Sequence, residues 1–463
     1  MSISLFSKRG KTHWSREAGR SRRLYISFLP TLRLIRLLTL SAPLWLLALV
    51  FPAGWLVGLF CFVLLAVLCW RDAATIPPVT KLRASRQLPS RLALDVEHSI
   101  KFVLTNLSAH RIQAVLRDEL PETFESETEW PQVTVPAAGE ARLSYTARPL
   151  KRGAHKFGDV VLRVQGKRGL IQQQIAIALA DTAKVYPNFR AADQYQLLAQ
   201  IDRRDEIVRK PRPFKAAGTD FESLRPYIPG EDPRNIDWKA TARRGATISR
   251  NKQVEKGQQL AVLLDAGRLM AETVGKYSKL EHALNAAVML SYVVQKRGDA
   301  LSLAAFSNKI ESFLPTIRGP SLLHRVLESL YEVQVRPVES DYWQAIAQVM
   351  TLLTRRSLVI LLTDVLDASA STGLVNNLSR AAEKHLVLCV VLNDPLISEI
   401  ARAIPASVED TYRKAAACDQ LRRRRVALEN MRSRGILVLE TDPAHLGVHL
   451  VKRYLEIRQA NLQ

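Results

Sequence analysis

Two aspartates offer the clearest chemistry in this chain. Asp265 closes the apolar run Gln259–Leu264, and Asp364 stands just beyond the run Leu358–Leu362. Carboxylates at the carboxyl ends of neighbouring strands could meet, and such a pair could hold a cation or move protons. A second constellation lies in Gly218–Arg243, where Arg225, Arg234 and Arg243 alternate with Asp232 and Asp237. That alternation suits a local salt-bridge and capping network, with Trp238 and Phe221 as apolar anchors on a core. The role read from it is structural or partner docking. No nucleophile–base pair accompanies either constellation, so no catalytic residue is assigned.

Other signals carry less. His445 and His449 have the spacing that puts two imidazoles on one helix face, but the glutamate of a zinc-protease motif is missing. Arg422–Arg425 is a four-residue basic run, read as a solvated helix face or a contact for anionic lipid. There is no Walker A loop and no dinucleotide fingerprint, so any ATP must be handled by another subunit. The four cysteines fall in no disulfide or metal-site spacing, which fits a reducing compartment.

The elements that must position these residues read in blocks. From about 259 to 463, apolar strands alternate with helical stretches: Gln259–Leu264, Lys279–Lys296, Ala300–Phe306, Asp341–Leu353, Leu358–Leu362, Gly373–Lys384 and Leu386–Leu392. A long charged helix over about 408–434, a strand Gly435–Leu439 and a helix Ala444–Ile457 follow. That alternation predicts a mostly parallel sheet with helices on both faces, a Rossmann-type α/β domain. Residues 75–190 instead show short runs with period-2 alternation, Ser99–Thr105, Arg142–Ala147, Val160–Val164 and Gln172–Ile177, broken by turn residues. They predict an antiparallel β-sandwich of immunoglobulin-like type. Residues 191–258 connect the two.

The amino-terminal block is different again. From Leu37 to Trp70, 34 residues pass without a charge, about 51 Å as one helix against a hydrocarbon core of about 30 Å. Pro52-Ala53-Gly54 divides the run, so the expectation is a transmembrane hairpin of two short spans, 37–51 and 54–70. Residues 1–36 form a basic leader. The chain of 463 residues carries a net charge of +22, and residues 1–72 hold 10 basic against 2 acidic side chains. Basic flanks on both sides of an uncharged hairpin turn place both termini in the cytoplasm. An anionic membrane surface is therefore an expected partner. No nucleic acid is expected, since no nucleic-acid-binding motif accompanies the charge.

The run Gly218–Arg243 closely resembles the signature of the bacterial family called domain of unknown function 58. The resemblance extends to the apolar hairpin, the β region and the strand end Leu263-Leu264-Asp265-Ala266-Gly267-Arg268-Leu269-Met270. It implies a von Willebrand factor A-like α/β domain and partnership with a MoxR-type AAA+ ATPase, alongside other membrane or von Willebrand-type proteins. Such domains usually bind Mg²⁺ at an adhesion site of the form Asp-x-Ser-x-Ser, a Thr and a later Asp. Here Asp265 matches the first position, Gly267 and Leu269 fall at the serines, Ser340 falls near the threonine and Asp364 is the later aspartate. With at most three oxygen ligands of five, no cofactor is expected and Mg²⁺ is the one to test. The guanidinium of Arg268 is expected in the cation's place, paired with Asp265 or Asp364. The functional expectation is a non-enzymatic, membrane-anchored adaptor in chaperone-like assembly of protein complexes. The alternative is an enzyme with its site near Asp265 and Asp364.

Overall fold

The computed structural model describes residues 27–46, 54–126, 131–188, 220–227, 236–253, 258–365 and 372–460. It divides into two compact units: Met1–Lys151 with His155–Lys184, and Arg152–Ala154 with Val185–Gln463. The first is rich in β structure and the second is α/β.

The first unit begins with the helix Leu32–Leu46, which contains Pro43, and the helix Gly54–Ala73. Among the described residues one helical stretch, Trp55–Ala73, is long and apolar enough to cross a membrane, with a mean hydropathy of 2.0. The turn of the expected hairpin, with Pro52-Ala53, lies outside the described residues. The apolar helix ends on Asp72, whose buried carboxylate grips the turn between two strands of the β region. Its Oδ1 accepts from the backbone N–H of Arg168 at 2.6 Å, and Oδ2 accepts from Leu170 and Ile171 at 2.8 and 3.1 Å. Gly166 is required there, because a Cβ on it would overlap the Asp72 carboxyl group.

Two antiparallel sheets make up most of the β region. One runs, in spatial order, Ser27–Pro30, Ile171–Ile177, Val160–Gln165, Ile112–Asp118 and Gln132–Val135; the other runs Leu82–Gln87, His98–Asn106, Gly139–Pro149 and Phe124–Glu125. Their strands alternate as a half-buried sheet must: Ile100, Phe102 and Leu104 are buried from one, Ile112, Ala114 and Leu116 from the other. The buried faces meet at an ionic bridge, where Arg86 pairs with Asp118 and the Tyr145 hydroxyl donates to the same carboxylate.

The second unit is built on a six-stranded sheet with spatial order Ile310–Ile317, Ala300–Phe306, Gln259–Asp265, Leu358–Thr363, Leu386–Leu392, Leu437–Thr441. All neighbours are parallel except the edge strand Ile310–Ile317, which is antiparallel to Ala300–Phe306. Gln259–Asp265 is buried along its whole length, as expected of a central strand covered on both faces. Leu260, Val262 and Leu264 join the core beneath the helices Lys279–Arg297 and Leu446–Gln459, while Ala261 and Leu263 join the one beneath Tyr342–Met350 and Thr372–Ala382. Among the described residues, the antiparallel edge strand and the helices Leu322–Leu330 and Pro395–Arg402 are elements that the apolar runs did not signal. The edge strand mixes polar with apolar residues and contains Pro315, so it lacks a clean apolar run.

Chain order along the sheet reverses between Gln259–Asp265 and Leu358–Thr363. Such a reversal is where the loops on either side diverge and leave a crevice at the carboxyl ends of the strands. Asp265 and Asp364 stand there.

Candidate functional site at the strand ends

Asp265 is buried, and each of its carboxylate oxygens takes two hydrogen bonds. Oδ1 accepts from the Gly267 backbone N–H at 2.8 Å and from the Ser340 hydroxyl. Oδ2 accepts from the Tyr342 hydroxyl at 2.9 Å and from Thr363 Oγ1 at 2.6 Å. Four donors match the capacity of an ionised carboxylate. Burial, reinforced by the adjacent Asp265 charge, pushes the Tyr342 phenol well above its ordinary range, so it remains a donor.

The local chain explains how these groups converge. Gly267 gives its N–H to Asp265 and leaves room for Ser340, since a Cβ at 267 would land on the Ser340 hydroxyl. Ser340 precedes the helix Tyr342–Met350, whose first turn is capped by Asp341, its Oδ1 accepting from the Gln344 N–H at 3.1 Å. That cap sets the helix start and with it the position of Tyr342.

Asp364 is held by cations. Lys279 Nζ donates to its Oδ2 at 2.6 Å, with the two side chains only 1% and 2% exposed. Oδ1 accepts the Val365 N–H at 2.7 Å and lies 3.3 Å from Arg424 Nη1. Lys279 also pairs with Glu272, whose side chain is 47% exposed. Burial alone would lower the Lys279 pKa, but Asp364 and then Glu272 outweigh it and hold it above its ordinary value. Arg424 donates through Nη2 to the Leu392 carbonyl at 2.5 Å, and its buried Nε has no hydrogen-bond partner.

A divalent ion does not fit these residues. Asp265 has no acceptor position left, Asp364 is already neutralised by two cations, and Gly267 and Leu269 offer no side-chain oxygen. Among the described residues, no group of three or more His, Cys, Asp or Glu could hold a metal.

Arg268 does not take the cation's place. It lies on the surface, with Nη2 3.0 Å from Glu339 Oε1. The cation on Asp364 is Lys279, the first residue of the helix Lys279–Arg297, together with Arg424. A sequence signal for Lys279 existed: a lysine in the first turn opposes the helix dipole, so it asks for a nearby carboxylate. Arg424 sits within the basic run Arg422–Arg425, read as solvated, yet it turns inward while Arg422 and Arg423 pair with Asp419 on the surface.

The signature segment is partly described. Asp232 and Arg234 lie outside the described residues. Arg225 falls in the strand Asp220–Pro226, opposite Ser249 of the antiparallel strand Ile248–Gln253. Asp237 caps the short helix Trp238–Arg244, its Oδ1 accepting from the N–H groups of Lys239 and Ala240 at 3.0 Å each. Arg243 is exposed in the last turn of that helix, and Gly245 ends it at φ +67. Trp238, expected against a core, is 69% exposed, because the helix has no buried residue to seat it. Elsewhere, a shallow concavity of about 710 Å³ on the β region is lined by residues such as Ser85, Lys101, Glu140 and Arg142.

Residues 223–430 match the family described as Protein of unknown function DUF58. The chain is 24% identical over 294 residues to "Uncharacterized protein YeaD" of Bacillus subtilis (strain 168), covering 60% of this chain and 69% of that protein. Among solved structures, the native alpha-2-macroglobulin of E. coli is 15% identical with a TM-score of 0.19; the similarity covers 23% of this chain and 7% of that one. The PapD-like domain 7 of human CEP192 is 12% identical with a TM-score of 0.18, covering 24% of this chain and 89% of that one.

Proposed function

We propose that this chain, matched over residues 223–430 to that family, is a membrane-anchored adaptor working with a MoxR-type AAA+ ATPase. In this reading the apolar run forms a two-span hairpin in the bacterial inner membrane. The β region is an immunoglobulin-like sandwich, and the α/β unit is a von Willebrand factor A-like domain in the cytoplasm. The strand-end face of that domain receives a protein partner, and the ATPase supplies the work of assembly.

The observation that carries the reading is the state of the two aspartates. Asp265 takes four donors and Asp364 takes one backbone N–H and two cations, all supplied by the chain itself, and both are buried. A general base needs an accessible lone pair, and neither carboxylate offers one. A preorganised, internally hydrogen-bonded face is instead suited to recognition. The anchoring half rests on the helix Gly54–Ala73, where Trp55, Phe60, Phe62 and Trp70 all stand exposed. A helix apolar all round wants lipid or a protein interior around it. The basic residues before Leu37 and after Trp70 support cytoplasmic flanks.

The test is native co-purification. Detergent-solubilised membranes from a strain expressing the tagged chain at its own level should yield an AAA+ ATPase in near-stoichiometric amount. Recovery of the chain without any such ATPase, with and without nucleotide, would defeat the proposal. Thermal unfolding of the purified chain should be the same with millimolar Mg²⁺ as with chelator.

A further inference from the structure

The ammonium of Lys279 is shared between two carboxylates that differ in one respect. Asp364 is buried and cannot leave; Glu272 is half in water. Glu272 sits at the end of the short turn of helix Arg268–Ala271, with Ala271 and Thr273 also exposed beside it. An exposed carboxylate gives up little when it swings into solvent, because water replaces what it loses. The ammonium it leaves is buried and keeps only Asp364 of its two carboxylates, and a buried charge that loses a partner is costly. Glu272 can therefore be exchanged, but only for another anion.

Charge selects which anion. Lys279 and Arg424 carry two positive charges, and Asp364 and Glu272 carry two negative ones, so the cluster is neutral as it stands. A monoanion replacing Glu272 keeps that balance, and a carboxylate reproduces its geometry. A phosphate dianion would leave an excess negative charge beside buried Asp364. Size points the same way, for what is vacated is the place of one carboxyl group, and the rest of a ligand must lie outside on the surface.

We propose that Lys279 is a carboxylate-binding site in which Glu272 is a built-in occupant. An acidic side chain or a terminal carboxylate presented by a protein partner displaces it. This deepens the adaptor reading and rests on it for the identity of the ligand as part of a protein. It gives the strand-end face a fixed organic cation to receive that group.

Chemical rescue tests the site without any partner. Glu272→Ala removes the occupant and opens a space of about the size of acetate. The full chain in detergent should unfold at lower temperature when so altered. Sodium acetate should raise its unfolding temperature in a saturable way, several-fold more than sodium chloride at equal ionic strength. Wild type and Glu272→Gln, in which the place is filled, should show no acetate-specific shift. The proposal is overturned if acetate and chloride act alike on Glu272→Ala, or if acetate acts equally on all three proteins. Rescue by acetate together with unaltered ATPase recovery from Glu272→Ala membranes would leave the site standing and remove its assigned place in the adaptor mechanism. Absence of rescue with ATPase recovered would do the reverse.

Discussion

Lys279 Nζ lies 2.6 Å from Asp364 Oδ2, and neither side chain reaches solvent to any extent. The lysine belongs to the first turn of one helix and the aspartate to the end of a strand 85 residues further on. Removing one partner of such a pair leaves the other charge buried and unpaired. Lys279→Met should therefore destabilise the α/β unit by about 3–5 kcal/mol. Arg268→Ala, which loses only a surface pair, should stay within about 0.5 kcal/mol of wild type. Urea denaturation of the detergent-solubilised chain distinguishes them, and equal effects would contradict the assignment of Lys279 as the cation.

The same pair predicts a dependence on pH. The folded-state pKa of Lys279 is raised above the ordinary 10.5. The folded chain then holds this proton more tightly than the unfolded one. Its contribution is fully present below pH 10.5 and is lost as pH rises through the folded pKa. Between pH 9 and pH 11.5, wild type should therefore lose more stability than Lys279→Met, in which the group is absent. Parallel loss in the two proteins would rule out the shift.

Gly267 and Ser340 compete for one volume. Gly267→Ala should cost about 1–3 kcal/mol, the usual range for overpacking. In a Ser340→Ala background the same change should cost less, since the hydroxyl it meets is gone. The double-mutant cycle should therefore show a coupling of at least about 0.5 kcal/mol. Additivity would mean that the two positions do not meet.

In the first unit, Asp72 binds three backbone N–H groups from residues 168 to 171. Asp72→Ala leaves those donors without their acceptor and should lower the stability of the β region by about 2–4 kcal/mol. Amide hydrogen exchange over Gly166–Ile171 should accelerate in that variant. Unchanged protection would show that the turn does not depend on the carboxylate.

The α/β elements were largely legible because their signal is local. Ala300–Phe306 and Leu386–Leu392 are apolar runs with turn residues at their ends, and each forms a strand with those bounds. The strand after the long helix is the partial exception: read at Gly435–Leu439, it forms at Leu437–Thr441, because Gly435 at φ +80 ends the helix. The site was half legible. Asp265 and Asp364 could be placed at strand ends, but Tyr342, Glu272 and Arg424 were not found, since each reads alone as an ordinary helix or loop residue.

By itself, the sequence determined which segments bury and which carboxylates end the strands, because continuous apolar runs and their boundaries are properties of neighbouring residues. Only the tertiary structure decided what answers the two carboxylates. The donors to Asp265 come from 267, 340, 342 and 363, and the cations on Asp364 from 279 and 424. Nothing in local propensity links those positions. Burial does, since a charge taken out of water must find its partners wherever the sheet and its helices bring them.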